Sequence, residues 1–175
     1  MATLNTRLTA SIDVSFVGDH EFGGPIFNQS IRQVLDFTTG TGADQADIMW
    51  MDERTVASGA TDSIDLTSSL KNPDGVQKIL VRPTALLIIN APRNSSTPNT
   101  TGLTVGGVAA NTYAGFFSPA TGGLISIQPG GGALLWNRGA ASYATITDVT
   151  NDILAIVNSA GASNTYQIAI LGRTA

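Results

Sequence analysis

The stretch Leu8-Thr9-Ala10-Ser11-Ile12-Asp13-Val14-Ser15-Phe16 alternates apolar and polar side chains without a break. Successive side chains of a β-strand point to opposite faces, so this period of two places every apolar residue on one face and every polar residue on the other. Such a strand is typical of an antiparallel sheet that buries one face. The stretch therefore predicts an all-β fold.

Short apolar segments continue along the chain, separated by turn residues at spacings of about 8–12 residues. We predict further strands at 31–37, 48–51, 63–66, 77–81, 85–90, 103–105, 113–117, 124–128, 133–136, 153–157 and 166–171. The segments 31–37 and 153–157 would also fit short helices, and 159–164 resembles a hairpin loop. This spacing predicts an antiparallel β-sandwich, jelly-roll-like, with a possible extended N-terminal strand or arm. We place the arm at residues 1–28 and the sandwich body at residues 29–175.

Charged residues make up only 13% of the 175 residues, about half the share of an ordinary soluble domain. A surface covered mainly with neutral polar residues suits a protein that works docked to others, although a secreted β-domain would have a similar composition. The formal net charge is −4, with two lysines and seven scattered arginines. Nucleic-acid binding depends on clustered Lys and Arg, so we expect no direct contact with DNA or RNA.

The sequence contains no cysteine, which excludes disulfides, thiolate zinc sites and cysteine catalysis. Residues 1–7 lack the basic start and apolar run of a signal peptide, and the apolar run 85–89 is too short to span a bilayer. We therefore expect a protein made in a cytoplasm that does not insert into a membrane.

Catalytic patterns are incomplete in this chain. His20 is the single histidine, and no second histidine or Gly-x-Ser-x-Gly motif accompanies it. The segment 40–45 imitates a dinucleotide fingerprint but lacks its third glycine. The acidic residues Asp44, Asp47, Asp52, Glu53, Asp62 and Asp65 could hold calcium or form a carboxylate pair. We favour a structural or interface role for them, and we expect no catalytic residue, metal site or cofactor.

Aromatic residues divide into two groups. Trp50 and Trp136 end apolar strands and are predicted to lie in the core. The residues Phe22, Pro25, Ile26 and Phe27 lie instead in a Gly-rich connection without strand periodicity. We interpret these four as candidate interface residues that anchor a neighbouring subunit.

Several segments resemble proteins of tailed bacteriophages and prophages. The longest begins at Gly40-Thr41-Gly42-Ala43-Asp44-Gln45-Ala46-Asp47 and continues through Trp50, Asp52, Arg54-Thr55, Ala57 and Asp62 to Ile64-Asp65-Leu66. Similar segments occur at 103–107, 125–131 and 158–161, so the resemblance covers about residues 35–172. It implies a structural protein of the virion, of the capsid decoration (cement) type.

The resemblance implies that the major capsid protein is the partner, that the capsid surface is the location, and that the protein associates with itself as a trimer or dimer. Two other readings stay open. The chain could be another virion part, such as a head fibre base, tail component or connector. It could also be a carbohydrate-binding β-sandwich, which would expose aromatic side chains.

Overall fold

The computed structural model describes residues 3–18, 24, 26–107, 110–117 and 124–175. All regular elements in these ranges are strands. They are β1 (Thr6–Val17), β2 (Ile26–Thr39), β3 (Gln45–Ala46), β4 (Ile48–Val56), β5 (Thr61–Asp65), β6 (Arg82–Ile89), β7 (Leu103–Gly106), β8 (Leu124–Ile127), β9 (Gly132–Trp136), β10 (Ile153–Asn158) and β11 (Asn164–Arg173).

Strands β4 to β11 form the body, which consists of two four-stranded sheets. One sheet has the order β4-β11-β6-β9 and the other the order β5-β10-β7-β8, and all neighbouring pairs are antiparallel. The predicted all-β antiparallel sandwich is therefore confirmed. Four of the pairs are nested along the chain, namely β4·β11, β5·β10, β6·β9 and β7·β8.

The core lies between the two sheets and follows from the period of two in their strands. In β11, Tyr166, Ile168 and Ile170 point inward and are buried, whereas Gln167 and Ala169 point outward and are only partly covered. Trp50 is in this core, as predicted. Burial of these apolar side chains is the main stabilising contribution, at about 25 cal/mol per Å² removed from water.

Strands β1 and β2 form a separate long hairpin, joined in a three-stranded sheet by the two residues of β3. Its lower part packs on the outer face of the β4-β11-β6-β9 sheet and makes a second, smaller core. This core contains Leu35, Phe37, Ala46, Ala85 and Leu171, with Leu4, Leu8, Met49 and Trp136 partly buried against it. Trp136 thus packs outside the main sandwich, beneath the hairpin.

Two predicted strands are wrong. Residues 77–81 and 113–117 carry apolar side chains but form loops in which Leu80 and Tyr113 are fully buried. Their backbone amides form single bonds and no continuous ladder: the Leu80 amide donates to the Leu66 carbonyl at 3.2 Å, and the Tyr113 amide donates to the Ile153 carbonyl at 2.8 Å, beside the isolated bridge of Thr112 with Ile153. The apolar side chains of these segments belong to loops that cover the core.

The predicted hairpin at 159–164 is also corrected. The strands on either side of it, β10 and β11, belong to different sheets and do not pair with each other. The segment therefore crosses from one sheet of the sandwich to the other. Asn158 holds this crossing, since its buried amide donates to the carbonyls of Val56, Ala57 and Ala162.

Candidate docking surface on the N-terminal hairpin

The hairpin of β1 and β2 is longer than the part of the body that supports it. Its register runs without a bulge from the pair Thr6–Phe37 to the pair Val17–Ile26, which is twelve residue pairs. Since a strand rises about 3.4 Å per residue, the ribbon is about 40 Å long. We call residues 6–9 and 34–39 the hairpin base, and residues 10–17 and 26–33 the arm.

The arm has one apolar and one mixed face because directly paired residues share a face. The pairs Ala10–Gln33, Ile12–Ile31, Val14–Gln29 and Phe16–Phe27 lie on one face. The pairs of the opposite face include Ser11–Arg32, Asp13–Ser30 and Ser15–Asn28. We call the apolar side chains Ala10, Ile12, Val14, Phe16, Phe27 and Ile31 the arm face, which contains no charged residue.

The arm face continues the apolar face of the hairpin base, but the body, which covers the face of the base, does not extend beneath the arm. In the base, Leu8 and Leu35 pair with each other and pack on the body. Along the arm, the exposed fractions reach 66% for Ile12, 47% for Val14, 62% for Phe16, 55% for Phe27 and 78% for Ile31. A contiguous exposed apolar patch of this kind is typical of an interaction site.

A two-stranded ribbon also has limited stability when nothing packs on it. An isolated hairpin is only marginally stable in water, and three or more strands or a packed face are needed for independent stability. In this arm the described residues have no third strand, because β3 pairs only with Thr38 and Thr39 of the base. The arm is therefore suited to bind a surface that covers its apolar face.

The structure describes two of the four predicted interface residues. Ile26 and Phe27 are exposed at the far end of the arm, on opposite faces, with Phe27 in the arm face. Phe22 and Pro25 lie outside the described residues. The predicted domain boundary after residue 28 falls inside β2, so the paired strands of the hairpin lie on both sides of it.

Sequence reasoning missed Ile12, Val14, Phe16 and Ile31. Ile12, Val14 and Phe16 belong to the clearest alternation in the chain, which was interpreted as a half-buried strand, and Ile31 lies in a segment that also fitted a short helix. The pattern indicates which residues share a face and not how far the body extends beneath them. The lengths of β1 and β2, 12 and 14 residues, exceed those of all the described body strands, and they become known only from the structure.

The acidic residues singled out from the sequence do not converge on one site. Asp44 pairs with Arg138, Asp47 accepts hydrogen bonds from Thr174, and Asp65 accepts them from Thr67 and Ser68. In the described part of the chain, no group of three His, Cys, Asp or Glu side chains is placed to hold a metal ion. His20 lies outside the described residues.

Asp62 is the centre of a partly buried polar cluster on the body, and Asp52 also pairs with Arg54 of this cluster, at 3.2 Å. The Asp62 carboxylate accepts bonds from Arg54 Nε at 2.6 Å, Arg54 Nη2 at 2.8 Å and Tyr166 Oη at 2.7 Å. Burial by itself raises the pKa of Asp62, but the hydrogen bonds from Arg54 and Tyr166 outweigh it and hold the pKa below its ordinary value. This cluster fixes β4, β5 and β11 relative to one another.

We expect Asp62→Asn to lower the free energy of unfolding by about 2 kcal/mol at pH 7. The pKa of Asp62 is lower in the folded than in the unfolded protein, so its contribution is complete above the unfolded value of about 3.9 and is lost as the pH falls through the folded pKa. The difference between wild type and variant should therefore shrink in acid. Urea denaturation from pH 7 to pH 2.5 measures it. The exposed Asp13→Asn is the control, and a difference independent of pH would contradict the prediction.

Aromatic residues in the body are largely covered. Tyr113 and Phe116 are buried and meet edge to face at 5.3 Å, and Tyr143 and Phe117 pack beside Phe116. In the described residues the exposed large aromatic side chains are Phe16 and Phe27, both in the arm face.

The described residues contain no helix that is long and apolar enough to cross a membrane.

Comparison with known proteins adds no assignment. No protein-family model matches the sequence, and a search of curated proteins finds no significant match.

Proposed function

We propose that this protein is a structural component of a tailed-bacteriophage particle that binds the capsid shell and stabilises it. The observation that carries the proposal is the projecting hairpin, whose uncharged apolar face extends beyond the body that supports it. Covering such a face with another surface removes apolar area from water and lowers the free energy. The resemblance of residues 35–172 to virion proteins supports the capsid as the place where this occurs.

The connectivity of the body supports the same role. The nested pairs β4·β11, β5·β10, β6·β9 and β7·β8 are those of one long antiparallel hairpin rolled into two sheets. We infer that the body is a jelly roll, an eight-stranded architecture that occurs in viral capsid domains. Fold alone does not define function, and the jelly roll serves here as a scaffold that presents the arm.

Quantification of the protein in purified particles tests the proposal. We expect it to be present in hundreds of copies, in a fixed ratio to the major shell protein, as measured by mass spectrometry. About a dozen copies or fewer would instead indicate a tail or connector component. Absence from particles would overturn the proposal, and binding in a glycan array would then favour a carbohydrate-binding module.

A variant with a shortened arm tests which part binds. Replacing residues 10–33 with a two-residue turn removes the arm and retains the hairpin base with its pair Leu8–Leu35. We expect this variant to fold, with an unfolding transition close to that of the wild type, and to lose most of its occupancy on particles. Full occupancy of the shortened variant would show that another surface binds the shell.

A further inference from the structure

The body exposes an apolar surface that matches the arm in chemistry. Four side chains, one from each strand of the β4-β11-β6-β9 sheet, form a row on its outer face: Met51, Ala169, Leu87 and Leu134. Met51 is 64% exposed, and the other three are partly exposed. We call this row the sheet strip.

The sheet strip borders the area that the hairpin base covers. The adjacent row across the same four strands is Met49, Leu171, Ala85 and Trp136, and these residues pack beneath Leu8, Leu35 and Phe37. A groove between the base, at residues 5–9, and the strip is lined by Met51, Leu87, Leu134 and Ala169. The apolar surface of the sheet therefore continues past the point where this chain's own hairpin stops covering it.

We propose that the arm of one copy of this protein packs on the sheet strip of a second copy. Each subunit gives one arm and receives one, in a closed dimer or trimer. Self-association is part of the proposed structural role, so the inference rests on that role in part, and the experiment below separates the two.

The contact inside the chain supports a second copy as the occupant. The hairpin base already places the apolar side chains Leu8, Leu35 and Phe37 on this sheet, next to Ala85 and Leu171. The arm face continues the same pair of strands, lies on the same side of the hairpin as Leu8 and Leu35, and carries apolar side chains as they do. Neither the arm face nor the sheet strip contains a charged residue, and Arg7, which borders the groove, is paired with Asp36, so the contact leaves no charge unpaired.

The dimensions agree with this arrangement. Eight residues of strand give the arm a length of about 25 Å, and four strands about 4.8 Å apart give the sheet a width of about 15–20 Å. One arm laid across the strip would thus reach all four strands.

The area favours exchange over a single contact. Full burial of an aromatic side chain removes about 150–250 Å² from water, so the five exposed large side chains of the arm face offer on the order of 500 Å². A stable interface buries about 800 Å² per partner. A single arm falls short of this value, and exchange adds the exposed area of one sheet strip to that of one arm in every subunit.

The edge of β1 adds a second route of contact. β1 is the outer strand in the order β1-β2-β3, so one of its edges carries backbone groups that no strand among the described residues pairs with. Free edges are templates for pairing with another chain. The groove on the sheet strip runs along residues 5–9 of this strand, so an arm placed there lies beside that edge.

Sedimentation of three full-length proteins tests the proposal. We expect the wild type to form a dimer or trimer at micromolar concentration. Ile31→Asp in the arm face and Met51→Asp in the sheet strip should each weaken this association by about 100-fold or more, since each places a charge in an apolar contact. Both positions are more than 60% exposed, so neither substitution disturbs the fold of the single chain. Val34→Asp, on the opposite face of the hairpin, is the matched control and should leave association unchanged.

The effects of the three substitutions on association test whether the arm of one copy contacts the sheet strip of another. Weakening by both Ile31→Asp and Met51→Asp, with Val34→Asp unchanged, supports the arm-to-strip contact. Weakening by Ile31→Asp alone would overturn it in favour of contact between arms. A wild type that is monomeric at about 100 µM would overturn self-association, and if that monomer still occupies particles through its arm, the proposed shell-binding function stands without it.

Discussion

Replacing Asn90 with alanine is expected to lower the free energy of unfolding by about 4 kcal/mol, one of the two largest effects we predict. The Asn90 side chain is fully buried and makes four hydrogen bonds. It donates to the carbonyls of Thr101 at 2.9 Å and Ile127 at 3.1 Å, and it accepts from Asn99 at 2.8 Å and Asn164 at 2.9 Å. Removing it leaves buried donors and acceptors unpaired, at about 1–3 kcal/mol each.

The effect is large because this amide cluster connects the two sheets. Asn90 follows β6 and Asn164 begins β11, both in one sheet, whereas Ile127 ends β8 in the other. The Asn164 amide also donates to the Thr101 carbonyl at 2.9 Å and so holds the loop that leads to β7. The cluster thus closes one end of the sandwich, where apolar packing alone would leave backbone carbonyls unsatisfied.

Urea denaturation of three variants checks this prediction. Asn90→Ala should be strongly destabilised, and the exposed Asn5→Ala should stay within about 0.5 kcal/mol of the wild type. Asn90→Leu keeps most of the side-chain volume but none of its hydrogen bonds, and we expect it to be nearly as unstable as Asn90→Ala. Wild-type stability of Asn90→Leu would contradict the prediction, since packing and not hydrogen bonding would then be the contribution of this residue.

The sequence predicts the strands of this fold where a strand has one buried face. In β11, the alternation of Tyr166, Ile168 and Ile170 with outward residues identifies the strand and its buried side. The same reasoning fails at residues 77–81 and 113–117, where apolar side chains are buried by loops. A local apolar pattern indicates that side chains are buried. Whether the segment forms a strand depends also on a hydrogen-bonding partner strand, which comes from a distant part of the chain.

The candidate docking surface shows a different limit of sequence reasoning. Phe22, Pro25, Ile26 and Phe27 stand out because they break the strand pattern, whereas Ile12 and Phe16 fit it and were expected on the buried face of a sheet. Both are exposed, because the hairpin rises beyond the body after the pair Leu8–Leu35. Alternation specifies that one face is apolar. Whether the chain itself or another molecule covers that face depends on tertiary structure.

Gly172→Ala is the second substitution with a large expected effect, about 3 kcal/mol or more of destabilisation. Gly172 is buried in β11, a central strand that pairs with both β4 and β6, at a shift in register next to Leu171. A Cβ atom here would lie 2.8 Å from the Arg82 carbonyl oxygen and 3.3 Å from Pro83 Cα, and it would overlap the end of the Leu80 side chain. Leu80 is flexible, but the other two contacts are backbone atoms that cannot move without disturbing β6.

The consequence of Gly172→Ala should reach the hairpin as well as the body. The Gly172 carbonyl accepts the Asp47 amide at 3.0 Å, beside β3, and β3 pairs with Thr38 and Thr39 of the hairpin base. Displacement of β11 would therefore loosen the support of the arm, and association should weaken together with stability. Gly102→Ala is the matched control, since its Cβ would meet only the Ile127 carbonyl oxygen, at 3.6 Å. Thermal unfolding and sedimentation of the two variants should differ clearly, and equal behaviour would mean that the sheet tolerates a side chain at the register shift.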